Sequence, residues 1–216
     1  MERSAETPAF IVKVSPRRSL VRNGVLSYAL LSLPLFGALY FLSTSSTVWL
    51  TALGMHMFSL VAAAAVYLRF TRVFIGVTST AIHERGFLGR SRVMQLSEVV
   101  HATLVYTYRS SSTETMPQLL VRCADHRRVL RMRGMFWSET NLRAIASAIT
   151  ASSDIRLEER REPLTASAFF TEYPGSAYWF ENRPALVVVA GFVILLVVLG
   201  VVLGFMALAG IPIDRA

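Results

Sequence analysis

Three long runs free of Asp, Glu, Lys and Arg constrain this chain more than any other feature. They are Val25 to Leu42, Val48 to Leu68 and Ala185 to Ile211. Each reaches the roughly 18 residues that mark a transmembrane helix, and the last, at about 1.5 Å per residue, extends roughly 40 Å. A hydrocarbon core of about 30 Å is crossed with tilt to spare. Pro34 interrupts the first run, as a kink that membrane helices tolerate. The first run begins too far from the N-terminus, and lacks the small-residue cleavage site, to read as a secretory signal. With 53% hydrophobic and 17% charged residues and a mean hydropathy of +0.47, the chain is too apolar for a soluble protein. It is also too interrupted for a pure helical bundle.

The charges flanking these runs set an expected topology. Arg3, Lys13, Arg17, Arg18 and Arg22 precede the first run, against Glu2 and Glu6. Residues 69–183 hold sixteen arginines and eleven acids, a net of +5. The segment Ser43 to Thr47 is uncharged. The positive-inside rule then predicts a multi-pass plasma (inner) membrane protein, with segment 1–24 and the middle region cytoplasmic and the C-terminus outside. The formal charge of +8 does not point to nucleic acid, because the basic residues are scattered and all but Lys13 are arginine. Membrane lipids, and other membrane proteins or further copies of this chain, are the expected partners.

Between the second and third runs the pattern becomes that of short strands. Val73 to Ile82 is rich in β-branched residues around a turn at Thr78-Ser79-Thr80, and Ile82 to Leu88 comes after it, with Gly86 and Gly89 near the next turn. Val93 to Leu96 and Val100 to Tyr108 come next, and Arg109 to Pro117 reads as a polar loop. Leu119 to Cys123 and Val129 to Met132 form a final hairpin around Asp125-His126-Arg127. Cys123, the only cysteine, excludes a disulfide and reads as a small buried hydrophobe. Ser138 then caps a helix with Glu139 in its first turn, and Leu142, Ile145 and Ile149 share one face. Phe136 and Trp137 pack the start of that helix, as core or as a partner contact.

The stretches Val77-Thr78-Ser79-Thr80-Ala81-Ile82, Arg85-Gly86-Phe87-Leu88, Leu96-Ser97-Glu98-Val99 and Gly134 to Leu142 come directly after two membrane runs. In this order they resemble the bacterial pleckstrin-homology-like (PH-like) membrane proteins of the DUF304 type over residues 25 to 150. The resemblance implies an α+β membrane protein: a transmembrane hairpin (25–43 and 48–68), then a PH-like antiparallel barrel or sandwich over 70–150, capped by one helix. It implies no catalytic residues. The third membrane helix, 185–211, lies outside the resemblance.

Residues 151–183 form an expected juxtamembrane linker. Asp154 to Glu162 is a mixed charge run, read as a solvated helix extension or hinge. Phe169, Phe170, Tyr173, Tyr178, Trp179 and Phe180, with Arg183 beside them, read as an aromatic belt at the headgroups.

No nucleophile elbow, phosphate loop or zinc motif occurs, so a non-enzymatic scaffold or accessory subunit with no cofactor is expected. His56, between Met55 and Met57 inside the second run, is the sharpest alternative, as a redox or transport residue. Its plainer role is a neutral imidazole bonded to a neighbouring helix. None of His83, His101 and His126 lies in a membrane run, so the chain cannot supply a second axial imidazole for a haem. Gly200 and Gly204, four apart, offer a helix-packing face. Arg85, Arg90 and Arg92 are the nearest approach to an anionic-lipid contact.

Overall fold

The computed structural model describes residues 9–43, 46–109, 113–124, 129–178, 181 and 184–208. The expected turn at Asp125 to Arg127, the belt residues Trp179 and Phe180, Arg183 and the C-terminal tail lie outside them. The protein is α+β and divides into two compact units, Met1–Leu20 with Leu68–Ser176, and Val21–Tyr67 with Ala177–Ala216.

The second unit holds the apolar helices except for the first turn of α1 and the last turn of α2, which belong to the first unit. α1 spans Arg18–Leu42, α2 Ser46–Thr71 and α5 Pro184–Leu208. All three are long and apolar enough to cross a membrane, over Arg18–Leu42, Thr47–Thr71 and Val188–Ala207. Phe36, Leu39, Val48, Ala52 and Phe205 are buried together, so Phe205 of α5 packs against the α1–α2 pair. Most other described large side chains on these helices are exposed, which suits helices able to cross a membrane.

The first unit contains two four-stranded sheets. One is antiparallel, in the order β1 (Val12–Val14), β2 (Phe74–Val77), β3 (Ala81–Arg85), β4 (Ser91–Gln95). The other runs β7 (Val129–Arg133), β6 (Thr115–Cys123), β5 (Val99–Tyr108), β8 (Leu157–Leu164). A single 3-10 turn, Leu96–Glu98, links the two, and no ladder among the described residues closes them into a barrel.

Helix α3 (Glu139–Ala151) carries the chain across the second sheet, from β7 to β8 at the opposite edge. Ser138 accepts the Asn141 N–H at 3.1 Å and so caps it. Leu142, Ile145 and Ile149 are fully buried, Trp137 is 6% exposed and Phe136 is partly buried against the same core. Both sheets contribute to that core, through Val14, Ile75, Val77 and Ile82 on one side and Leu104, Leu119, Val121 and Met132 on the other.

Segment 1–24 supplies a strand that the sequence does not predict: Val12–Val14 pairs with β2, and the Phe10 ring covers Gly76, where a Cβ would lie 2.5 Å from its Cδ1. Three expectations are corrected. The charged run within 154–162 is strand rather than helix, pairing parallel to β5 from Ala102↔Leu157 to Thr107↔Leu164. Outward charges suit an edge strand, because they discourage further pairing. Phe169 and Phe170 do not form a surface belt. Phe169, on α4 (Ala166–Glu172), is 1% exposed and packs with Val105, Leu120 and Leu164, with Phe170 and Tyr173 beside it. The polar loop is also shorter than expected, because β6 begins at Thr115.

Trp137→Ala is expected to destabilise this unit by about 3–5 kcal/mol, the usual cost of emptying a buried aromatic site. Pulse proteolysis of the full chain in detergent measures it; unchanged resistance would place the ring outside the core.

Candidate interaction surfaces

Inside the apolar unit, His56 meets α1. Its Nδ1 lies 3.0 Å from the Tyr40 hydroxyl and its ring stacks on Phe36 at 4.2 Å between centroids. One helical turn on, the Ser59 hydroxyl donates to the His56 carbonyl at 2.8 Å and also meets the Tyr28 hydroxyl at 2.8 Å. These bonds join α1 to α2 through side chains that lipid could not satisfy. Gly200 and Gly204 are placed differently, since nothing lies within 4 Å of a Cβ built on either.

Sequence reasoning missed the arginines on the outer face of the second sheet. Arg131, 7% exposed, donates from Nε to Gln118 at 2.8 Å and from Nη1 to the Ser176 carbonyl at 3.2 Å. Its guanidinium lies 4.8 Å from the Phe169 ring centroid, and that of Arg122 lies 5.1 Å from Tyr173. The signal was present as Arg residues alternating with apolar ones in β6 and β7, opposite an aromatic helix.

On α3, Arg143 donates to Glu139, to the Tyr106 hydroxyl on β5 and to Glu159 on β8, each at 3.0 Å. The Arg143 guanidinium holds the Glu159 carboxyl below its usual range. This network ties the charged edge strand to the helix.

Strand β4 and the cleft at its C-terminal end form an open surface. Among the described residues β4 pairs only with β3, and Ser91, Arg92, Val93 and Gln95 are exposed. The cleft measures about 590 Å³ and is lined by Ser79, Thr80, Gln95, Ser97, Ser153 and Asp154 among others. Hydroxyl and amide groups there can donate and accept hydrogen bonds. Asp154 and the nearby C-terminal end of α3 favour donors or cationic groups. Arg85, Arg90 and Arg92 belong to the β3–β4 hairpin, where Arg92 pairs across the strands with Glu84. Burial pushes the Glu84 carboxyl up, and Arg92 opposes that rise. Of the five α3-region candidates, by contrast, Trp137, Leu142, Ile145 and Ile149 are buried in the core and Phe136 is partly buried against it.

No group of three His, Cys, Asp or Glu side chains among the described residues could hold a metal ion. No protein-family model, no curated protein and no solved structure matches the chain.

His56→Phe keeps the aromatic stack but removes the bond to Tyr40. The helix pair is expected to lose about 0.6 kcal/mol, and at most about 1.7, the range for hydrogen bonds between membrane helices. Steric-trapping unfolding in bicelles gives the value; no change would mean that the bond contributes nothing.

Proposed function

We propose that this is a non-enzymatic plasma-membrane protein whose folded module acts as a scaffold or accessory subunit, engaging an extended segment of a protein partner. The observation that carries this reading is the free β4 edge leading into the polar cleft. A strand added to that edge would satisfy its outward N–H and C=O groups, and a polar or basic side chain of the partner would enter the cleft beside Asp154. A PH-like module is supported by the element order, with strands from Phe74 to Arg133 in two sheets and one capping helix after them. The arginine excess of residues 69–183 supports a cytoplasmic module.

Two measurements test the reading. A reporter fused after Ala216 is expected to read exterior and one after Arg133 cytoplasm; exterior signal from the second would overturn the topology. A photo-crosslinking residue at Val93 and another at Ser97 are expected to capture one and the same polypeptide, with capture through Ser97 lost in Val93→Lys. Equal capture from Arg161, on the edge strand of the other sheet, or none from β4, would sink the adaptor reading.

A further inference from the structure

Phe87 and Leu88 stand at the tip of the β3–β4 hairpin, 44% and 68% exposed. The tip is not loose. The Gly86 N–H donates to the Arg90 carbonyl at 3.0 Å and the Gly89 N–H to the Gly86 carbonyl at 2.9 Å. Arg69 clasps it from outside, with Nε donating to the Phe87 carbonyl at 3.0 Å and Nη2 to the Leu88 carbonyl. Gly89 has φ 78, and a Cβ there would lie 2.6 Å from Arg69 Nη2, so only glycine fits both the turn and the clasp.

Arg69 belongs to the last turn of α2, whose Thr47–Thr71 stretch is apolar enough to cross a membrane. That last turn and the hairpin belong to the same compact unit. The two exposed apolar side chains therefore lie within one arginine side chain of the end of the helix. Arg72 stands three residues beyond Arg69, and Arg85 and Arg90 flank the turn itself. Among the described residues none of these three makes an ion pair. Arg92 is set against Glu84 and is not counted with them.

In water Phe87 and Leu88 would remain uncovered. At a bilayer surface the apolar pair reaches the acyl boundary while guanidinium groups meet phosphates. A protein partner could also cover two apolar side chains. The clasp by the end of α2 favours lipid, because it fixes the tip where the helix leaves the hydrocarbon.

We propose that the tip of the β3–β4 hairpin is a lipid-contact site, with Phe87 and Leu88 inserted at the headgroup boundary and Arg72, Arg85 and Arg90 binding anionic phospholipid. The site goes beyond the adaptor reading and stands whatever protein engages the β4 edge. Each arginine at an anionic surface favours the inserted tip by a factor of about five.

The test uses the full chain in nanodiscs of phosphatidylcholine, with or without phosphatidylglycerol. Leu88→Cys carries an environment-sensitive fluorophore, and the wild type, whose Cys123 is buried, is the labelling control. Blue-shifted emission and protection from iodide are expected with phosphatidylglycerol. Adding Arg85→Gln and Arg90→Gln should lower the inserted-to-free ratio by about 25-fold, a factor of about five for each arginine. Arg161→Cys, labelled in the same way, should stay open to iodide throughout. A fluorophore at position 88 as open to iodide as the one at position 161 in both nanodiscs would overturn the proposal. So would equal protection with and without phosphatidylglycerol that survives both arginine substitutions. Retained crosslinking from Val93 in the arginine variant would show that the β4 edge works independently of the tip.

Discussion

The second sheet has two apolar faces, and most of the polar unit is arranged to cover them. Leu104, Leu119, Val121 and Met132 point into the shared core, while Val105 and Leu120 point the opposite way. A sheet buried on both sides cannot be left with one layer of partners. The first sheet and α3 close one face. α4 closes the other, with Phe169 on the apolar strip and Arg131 held between its ring and Gln118. Burying a phenylalanine contributes about 1.5–3 kcal/mol, so α4 is a structural layer of the unit and not a mere tether.

Covering both faces also explains the parallel strand. α3 must cross the sheet to lie over its core, and it therefore delivers the chain to the edge beyond β5. There the next segment pairs parallel to β5 as β8. Its glutamates and arginines keep that edge solvated, and Arg143 binds Glu159 back to the helix. The sheet's other outer strand, β7, pairs with β6 alone among the described residues.

In the apolar unit the physics is reversed. Side chains that face lipid would need no cover, and among the described residues the helices meet through the Phe36, Leu39, Val48, Ala52 and Phe205 cluster and the Tyr40–His56 and Tyr28–Ser59 bonds. His56 is thereby occupied in joining two helices. A Cβ built on Gly200 or Gly204 meets nothing within 4 Å beyond its chain neighbours and its own helix backbone among the described residues.

Much of this was legible from local pattern. The apolar runs, the capped α3 with its Leu142, Ile145 and Ile149 face, and the hairpin turns near Gly86 and Gly89 all arise from periodicity, capping and turn chemistry, which act within a few residues. The roles of Val12–Val14, Leu157–Leu164 and Phe169 were decided by tertiary structure. A three-residue strand in a basic tail and a charged run carry no strong local preference, and become strands only because β2 and β5 present unpaired edges to them. Phe169 looked interfacial because aromatics before an apolar run usually are, and the buried outer face that claims it is assembled from strands far away in sequence. Local chemistry settled which segments are apolar, helical or turned; which of them lie side by side depended on edges and faces that exist only after folding.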